Sequence, residues 1–450
     1  MVSIILGMGF GWCSLSQAQM GGAGGGITGG MGGGIPTIPG AEFGGVTDPS
    51  SIQISEGLKV VPSIQVSERY DSNVFFTPKS QLQGLTPEDF VTTVVPQVRG
   101  LYTDHKNLVK VNAVVGAVGG YYVNNGRLNY VGANAGAVLD MSDLLSRWRP
   151  GTRLTMSDVY FYSPEPPTFL QGGEFVEQAN PVLAGFQARR NNTSFNRVST
   201  VLEFPINRTV SLSSSYTNSF VKYGTSQISG GVDLIDRKVQ TYSVGLRKQV
   251  SFQDTVRVDF MGNEFDLGER GVFSARGGNL GWTHRFSSAV SFTATGGVYV
   301  LSGELNNVLL SSGKASNAIA PFGSLAILWQ GPTTSVALRY QSGIAPSAQF
   351  QGAVMLNHTV SLNMTQNTPI RDLVGLLGAN YSAADSYGSS SSSPQSWTTV
   401  RGTAGLMYRV TQKTFLIFNY SYLNADNVVG ARHSAFEKHM VQLSLAQAFY

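Results

Sequence analysis

From Leu58 to its last residue the chain alternates between apolar and polar positions. In Lys438–Tyr450 (KHMVQLSLAQAFY), Val441, Leu443, Leu445 and Phe449 share one parity, with Gln447 the polar intruder. Met440, Gln442, Ser444, Ala446 and Ala448 share the other. Alternate residues of a strand point to opposite faces, so this stretch predicts a strand with one aliphatic–aromatic face and one small, polar face. Thr209–Phe220 repeats the pattern, setting Val210, Leu212 and Tyr216 against Ser211, Ser213, Ser215, Thr217 and Ser219. Thr255–Asn263 sets Val256, Val258 and Phe260 against Arg257, Asp259 and Asn263. Thr334–Gln341 and Trp397–Val410 do the same, with Arg339, Gln341, Arg401 and Arg409 on their polar sides. A soluble core would need bulky side chains where these hydroxyls sit. The apolar face suits hydrocarbon, and the hydroxyl-rich face suits a watered interior.

The pattern recurs in about 18 segments (16–20) of the ~10-residue length that a tilted membrane strand needs. They run from Leu58–Tyr70 and Phe90–Tyr102 to Thr414–Asn424 and His439–Tyr450. Short joints such as Pro205–Arg208, Ser287–Ala289 and Thr411–Lys413 alternate with longer ones such as Asp71–Asp89, Ser163–Asn192 and Ala425–Lys438. Met141–Gly151 is the one long connection on the short-turn side. Short periplasmic turns alternating with longer outer loops define a transmembrane barrel. The expected fold is therefore all-β: a single antiparallel transmembrane β-barrel over 57–450. A sheet edge cannot lie open in hydrocarbon, so Leu58–Tyr70 must pair with His439–Tyr450. Four residues strain the pattern. Asp158 and His358 share parity with apolar neighbours, so Asp158 would face lipid unless a bulge shifts the register. Pro62 and Pro96 lack an N–H inside predicted strands, which implies bulges or later strand starts.

Composition fits this class. Charged residues make up 13% of the 450 and the formal charge is +4, which argues against nucleic acid as a partner. No apolar run approaches the ~20 residues of a membrane helix. Residues 1–18 have the apolar core and small-x-small site (Ser16-Gln17-Ala18) of a signal peptide, although no Lys or Arg precedes the core. The single cysteine, Cys13, lies inside it, and cleavage after Ala18 leaves an exported chain without stray thiols. Trp12 stands where a lipoprotein signal requires a small residue. Residues 19–56 form a Gly-rich stretch that cannot build a core and reads as a flexible leader.

Ile64–Phe76 (IQVSERYDSNVFF) followed by Val94–Tyr102 (VVPQVRGLY) resembles the opening of a β-barrel porin family of bacterial outer membranes. Tyr70, Asp71, Asn73, Val74 and Phe75 match its opening motif, and Pro96 and Arg99 match its second strand. The Gly-rich leader departs from the family. The resemblance implies an outer-membrane location and a barrel fold more than any cargo. It also implies outer-membrane lipid, periplasmic chaperones and the barrel-assembly machinery as partners.

No constellation for catalysis, cofactor or metal is legible. His105, His284, His358, His433 and His439 are scattered, and His284 and His358 read as structural wall residues. Asp71-Ser72-Asn73 reads as turn chemistry rather than a cation site. Parity places Arg99, Lys110, Arg197, Glu203 and Arg247 in the lumen, together with Arg257, Asp259, Arg339, Arg401 and Arg409. Rings of basic residues favour anions. The expected function is a porin-like channel for passive diffusion of small hydrophilic solutes, mildly anion-preferring. A barrel component of surface-polysaccharide export or assembly, or a plugged structural barrel, remains the alternative. The loop Ser163–Asn192 has the length to fold inward as a constriction. It would set Glu165, Glu174 and Glu177 against the basic wall, with Arg189 and Arg190 following.

The terminal alternation ending in Phe449-Tyr450 is the expected recognition element for insertion. Deleting both residues is expected to reduce the heat-modifiable folded form in outer-membrane fractions. Undiminished folding of the truncated chain would contradict that role.

Overall fold

The computed structural model describes residues 52–82, 84–164, 191–226, 234–305, 318–346, 354–387, 395–429 and 432–449. The segment 1–18 and the leader up to residue 51 lie outside the described residues. The chain enters through β1 (Ile52–Ser55), which turns back onto the start of β2 (Leu58–Asp71). Gly57 makes this turn at φ +81, where a Cβ would collide with the Thr103 carbonyl. The sequence placed Ile52–Ser55 in the leader; its four residues are too few to show a period.

Up- and down-strands then follow in order: β3 (Asp89–Thr103), β4 (Lys110–Tyr122), β5 (Tyr130–Asp140), β6 (Arg153–Ser163), β7 (Asn191–Pro205) and β8 (Val210–Ser226). Next come β9 (Arg237–Gln249), β10 (Asp254–Asp266), β11 (Gly271–Arg285), β12 (Val290–Leu305), β13 (Ala318–Gln330) and β14 (Thr334–Pro346). The last five are β15 (Val354–Asn367), β16 (Leu373–Ser386), β17 (Gln395–Arg409), β18 (Thr414–Val429) and β19 (Arg432–Ala448). Each strand from β2 on pairs antiparallel with the next, and β19 pairs back onto β2 from Met440↔Asp71 to Ala448↔Ser63. Among the described residues this is one closed barrel of eighteen strands, β2 to β19. The long short-side connection after β5 holds a single helical turn, α1 (Ser142–Ser146). In the turn after β3, the Asp104 carboxylate accepts N–H groups of Val109 (2.8 Å), Leu108 (2.5 Å) and Lys106 (3.2 Å). The Val109 bond leads in holding its pKa below the usual carboxylate value.

The two faces separate as the alternation requires. Val441, Leu443, Leu445 and Phe449 point outward, 38–51% exposed, while Met440, Gln442, Ser444, Ala446 and Ala448 are buried on the inner side. Leu325, Ile327 and Trp329 do the same on β13, as do Leu416, Phe418 and Tyr420 on β18. Only hydrocarbon accommodates such an exterior around a sheet with every edge paired. An even strand number, with short turns on one side, is the bacterial form. The chain is an outer-membrane β-barrel.

Several boundaries differ from those the alternation predicts. The last hairpin extends outward to Val429 and Arg432, so much of the expected loop Ala425–Lys438 is strand. Beyond the bilayer neither face needs to be apolar, and the period fades. Neither proline makes a bulge. The Pro62 carbonyl accepts the Phe449 N–H (2.9 Å), so its missing N–H falls where β19 runs out. At Pro96 the pairing with β4 lapses between Val94↔Gly119 and Gln97↔Gly116, with no change of register. Asp158 has no bulge beside it either, because β6 pairs with β7 without interruption from Arg153↔Glu203 to Ser163↔Thr193.

An arginine on the lipid face near the midplane destabilises a barrel by about 2–4 kcal/mol. Leu443→Arg, on the outer face of β19, is expected to show that loss in equilibrium refolding into vesicles. Leu376→Arg, on the inner face of β16, should show much less. Equal losses would contradict the assignment of faces.

Candidate functional site

The interior is divided into two zones. Toward the short-turn mouth, β6 to β10 carry a cluster of charges on inward positions. Arg247 lies opposite Arg257 in the β9–β10 ladder. Arg247 Nη2 is 3.4 Å from Glu203 Oε1, and Arg257 Nε is 2.5 Å from Asp259 Oδ1. Glu203 in turn lies opposite Arg153. Asp259 packs over Gly245, where a Cβ would collide with its carboxylate. Lys110 reaches Asp143 of α1 at 2.8 Å, both about half exposed at the rim. Arg409 bonds Asp372 in the turn before β16. Arg99, Arg197, Arg339 and Arg401 also occupy inward positions, opposite Val114, Ser219, Ser361 and Leu423. Eight of the ten residues that parity singled out are thus basic, and several are held by acidic neighbours.

Toward the outer mouth the inner wall becomes apolar. Met261, Phe265, Phe273, Tyr299, Leu301 and Phe322 form one buried cluster on β10 to β13. Tyr299 stacks on Phe322 with centroids 4.1 Å apart. A second cluster joins Met355, Ala384, Trp397, Leu423, Ala425 and Phe436 from the inner faces of β15 to β19. Phe76 belongs to it, although it comes from the loop after β2. Val74, Phe75 and Leu82 of the same loop pack on Val91, Tyr122 and Leu128. The first outer loop therefore folds into the mouth and lines both sides of the β2–β19 seam.

One buried ion pair fastens it. Asp71 ends β2 and Lys438 lies on β19; both side chains are 1% exposed. Lys438 Nζ sits 2.7 Å from Asp71 Oδ2, donates to the Asn73 carbonyl at 3.1 Å and lies 3.6 Å from the Phe76 ring centroid. Asp71 Oδ1 accepts the Asn73 N–H at 3.0 Å, the turn chemistry that Asp71-Ser72-Asn73 predicts. The Asn73 amide donates to the carbonyls of Thr77 and Glu437. Phe76 takes φ +54, a costly conformation for a bulky residue, and its ring fills the pocket beside Lys438. The opening motif Tyr70-Asp71-x-Asn73-Val74-Phe75 is thus the joint between first strand, last strand and first loop. Its partner Lys438 escaped sequence reasoning, because nothing local to it signals a contact with residue 71.

The expected constriction loop, with Glu165, Glu174, Glu177, Arg189 and Arg190, lies outside the described residues, as does Tyr450. His284 and His358 both face outward. His284 Nδ1 is 2.8 Å from Asp254, which also accepts the Trp282 indole N–H at 3.0 Å. His358 bonds the Tyr340 hydroxyl at 3.0 Å. Both are braced by neighbours at the wall.

No family model matches the chain, and no curated protein matches it. Among solved structures, Pseudomonas aeruginosa OccK9 (OpdG) is similar over 87% of this chain and 98% of its own, at 12% identity and TM-score 0.43. Acinetobacter baumannii OccAB3 is similar over 87% and 99%, at 13% and 0.42. The Pseudomonas aeruginosa outer membrane protein OpdK is similar over 87% and 99%, at 11% and 0.43. The fold described above stands on the strand pairings themselves.

Removing one partner of a buried ion pair destabilises by about 3–5 kcal/mol, because the other charge is left uncompensated. Lys438→Met and Asp71→Asn are each expected to lose stability on this scale in denaturant refolding. The double variant should lose less than their sum. Additive losses would mean that the two charges do not act as a pair.

Proposed function

We propose that the barrel is a channel for passive diffusion of small hydrophilic solutes with a mild preference for anions. An eighteen-stranded barrel is wide enough to leave a water-filled path unless something narrows it. The observation that carries the reading is the inward wall of β6 to β10. There Arg247 and Arg257 stand side by side, with Arg153 alongside, against Glu203 and Asp259. The acidic partners fix the guanidinium groups and leave a surplus of positive charge along the wall. A passing anion meets oriented N–H donors without a site that binds it tightly enough to stall it. The first outer loop sets the outer limit on size, because Phe76 and Phe75 occupy space that the strands alone would leave open.

Reconstitution in planar bilayers tests this. The wild-type chain should conduct, and its reversal potential in a KCl gradient should favour chloride. Arg247→Gln with Arg257→Gln should shift that potential toward cation preference while the barrel remains folded. A folded barrel that carries no current would contradict a channel, and an unshifted potential would remove these arginines from the path.

A further inference from the structure

Asp158 is the central residue of β6, five residues from either end of an eleven-residue strand. A membrane strand takes about 9–11 residues, so this position lies near the bilayer midplane. The unbroken register with β7 turns its side chain outward, where it is exposed. The carboxylate accepts one hydrogen bond, from the Asn196 amide at 2.7 Å. A charge on the lipid face carries a penalty that is greatest at this depth. Across β7, Val198 is the direct partner of both Asp158 and Asn218 of β8. Asn218 Oδ1 is buried within the chain and accepts no hydrogen bond among the described residues. Elsewhere the exterior at this depth is apolar, with bulky residues such as Leu325 and Ile327 of β13 and small ones such as Ala294 and Gly296 of β12.

The strands flanking this polar centre differ in a matching way. The outward positions in the middle of β5 are Ala133, Ala135 and Ala137, between Val131 and Leu139, and leave a shallow channel at the level of Asp158. Those in the middle of β9 are Tyr242, Val244 and Leu246, which form a ridge. A twofold axis along the membrane normal through β7 brings β6 of one copy against β8 of another, and β5 against β9. We propose that this wall is the interface of a homodimer within the membrane. Asp158 of each copy then meets the Tyr216 hydroxyl and the Asn218 amide of the other. The alanine channel receives the Tyr242–Leu246 ridge. Such an isologous patch is complementary to itself, which a lipid surface is not. Small side chains permit the close approach. The outward lysines of this wall, Lys222 of β8 and Lys238 and Lys248 of β9, lie toward the ends of their strands, away from the level of Asp158.

The test uses the full chain with Cys13→Ser and a single new thiol, oxidised with copper phenanthroline in outer-membrane vesicles. Val198→Cys, beside the axis, should link most of the folded chain into a species of twice its mass. Leu325→Cys, on β13 a third of the way round the barrel, should stay single. Light scattering of the wild-type barrel in mild detergent should give twice the chain mass. Adding Ala135→Trp should return both readouts to the monomer while the heat-modifiable band persists. A folded wild-type barrel of monomer mass that also fails to link through Val198→Cys would overturn the proposal. Linkage through Leu325→Cys to the same extent, or a linked species containing a different protein, would overturn it as well.

Discussion

Inside a bilayer, every backbone N–H and C=O must find its partner within the protein, because hydrocarbon offers none. The whole structure follows from that constraint. It excludes an open sheet, so β2 and β19 must meet although most of the chain separates them. It fixes the orientation of every side chain, since continuous pairing leaves alternation as the only freedom. It also explains why Pro62 is tolerated, lying where its neighbour ends and no N–H is required. The apolar exterior and hydroxyl-rich interior are then the two sides of one pleat.

The interior follows a second logic. Near the short-turn mouth, Arg247 and Arg257 are braced by the carboxylates of Glu203 and Asp259. Near the outer mouth, aromatic side chains cover the inner wall, and the first loop packs against them. The buried pair Asp71–Lys438 belongs to both zones. It is a buried charged contact in which Asp71 also lies 3.8 Å from Arg69 Nε, while the Asn73 N–H and carbonyl meet the Asp71 carboxylate and the Lys438 ammonium. Such a pair specifies one arrangement more than it adds stability. Here it ties the outer end of the β2–β19 seam to the loop that follows β2.

Much of this was legible in the sequence because a period of two is a strong signal when repeated. The positions of eighteen strands, the closing pair and the inward parity of Arg247, Arg257 and Arg339 can all be read from alternation alone. Three things could not. In the outer extension of β18 and β19 the faces still alternate, but outward positions such as Glu437 are polar while Phe436 and Lys438 are buried inside, so the apolar–polar pattern of the membrane strands no longer marks them. The inward course of the first loop looks like a run of apolar residues after a strand, and nothing in Val74, Phe75 and Phe76 says which way it turns. The contact of Lys438 with Asp71 joins opposite ends of the chain. Asp158 was visible as a violation of the pattern, and the continuous β6–β7 ladder shows that the violation is real.

The claim on which the rest depends is closure at the β2–β19 seam, and hydrogen–deuterium exchange of the folded barrel in lipid bilayers tests it most directly. Backbone amides of Ile64–Tyr70 and Val441–Ala446 should exchange as slowly as those in the middle of β9 and β10. Fast exchange along both seam strands, with slow exchange elsewhere, would show an open edge and contradict the closed barrel.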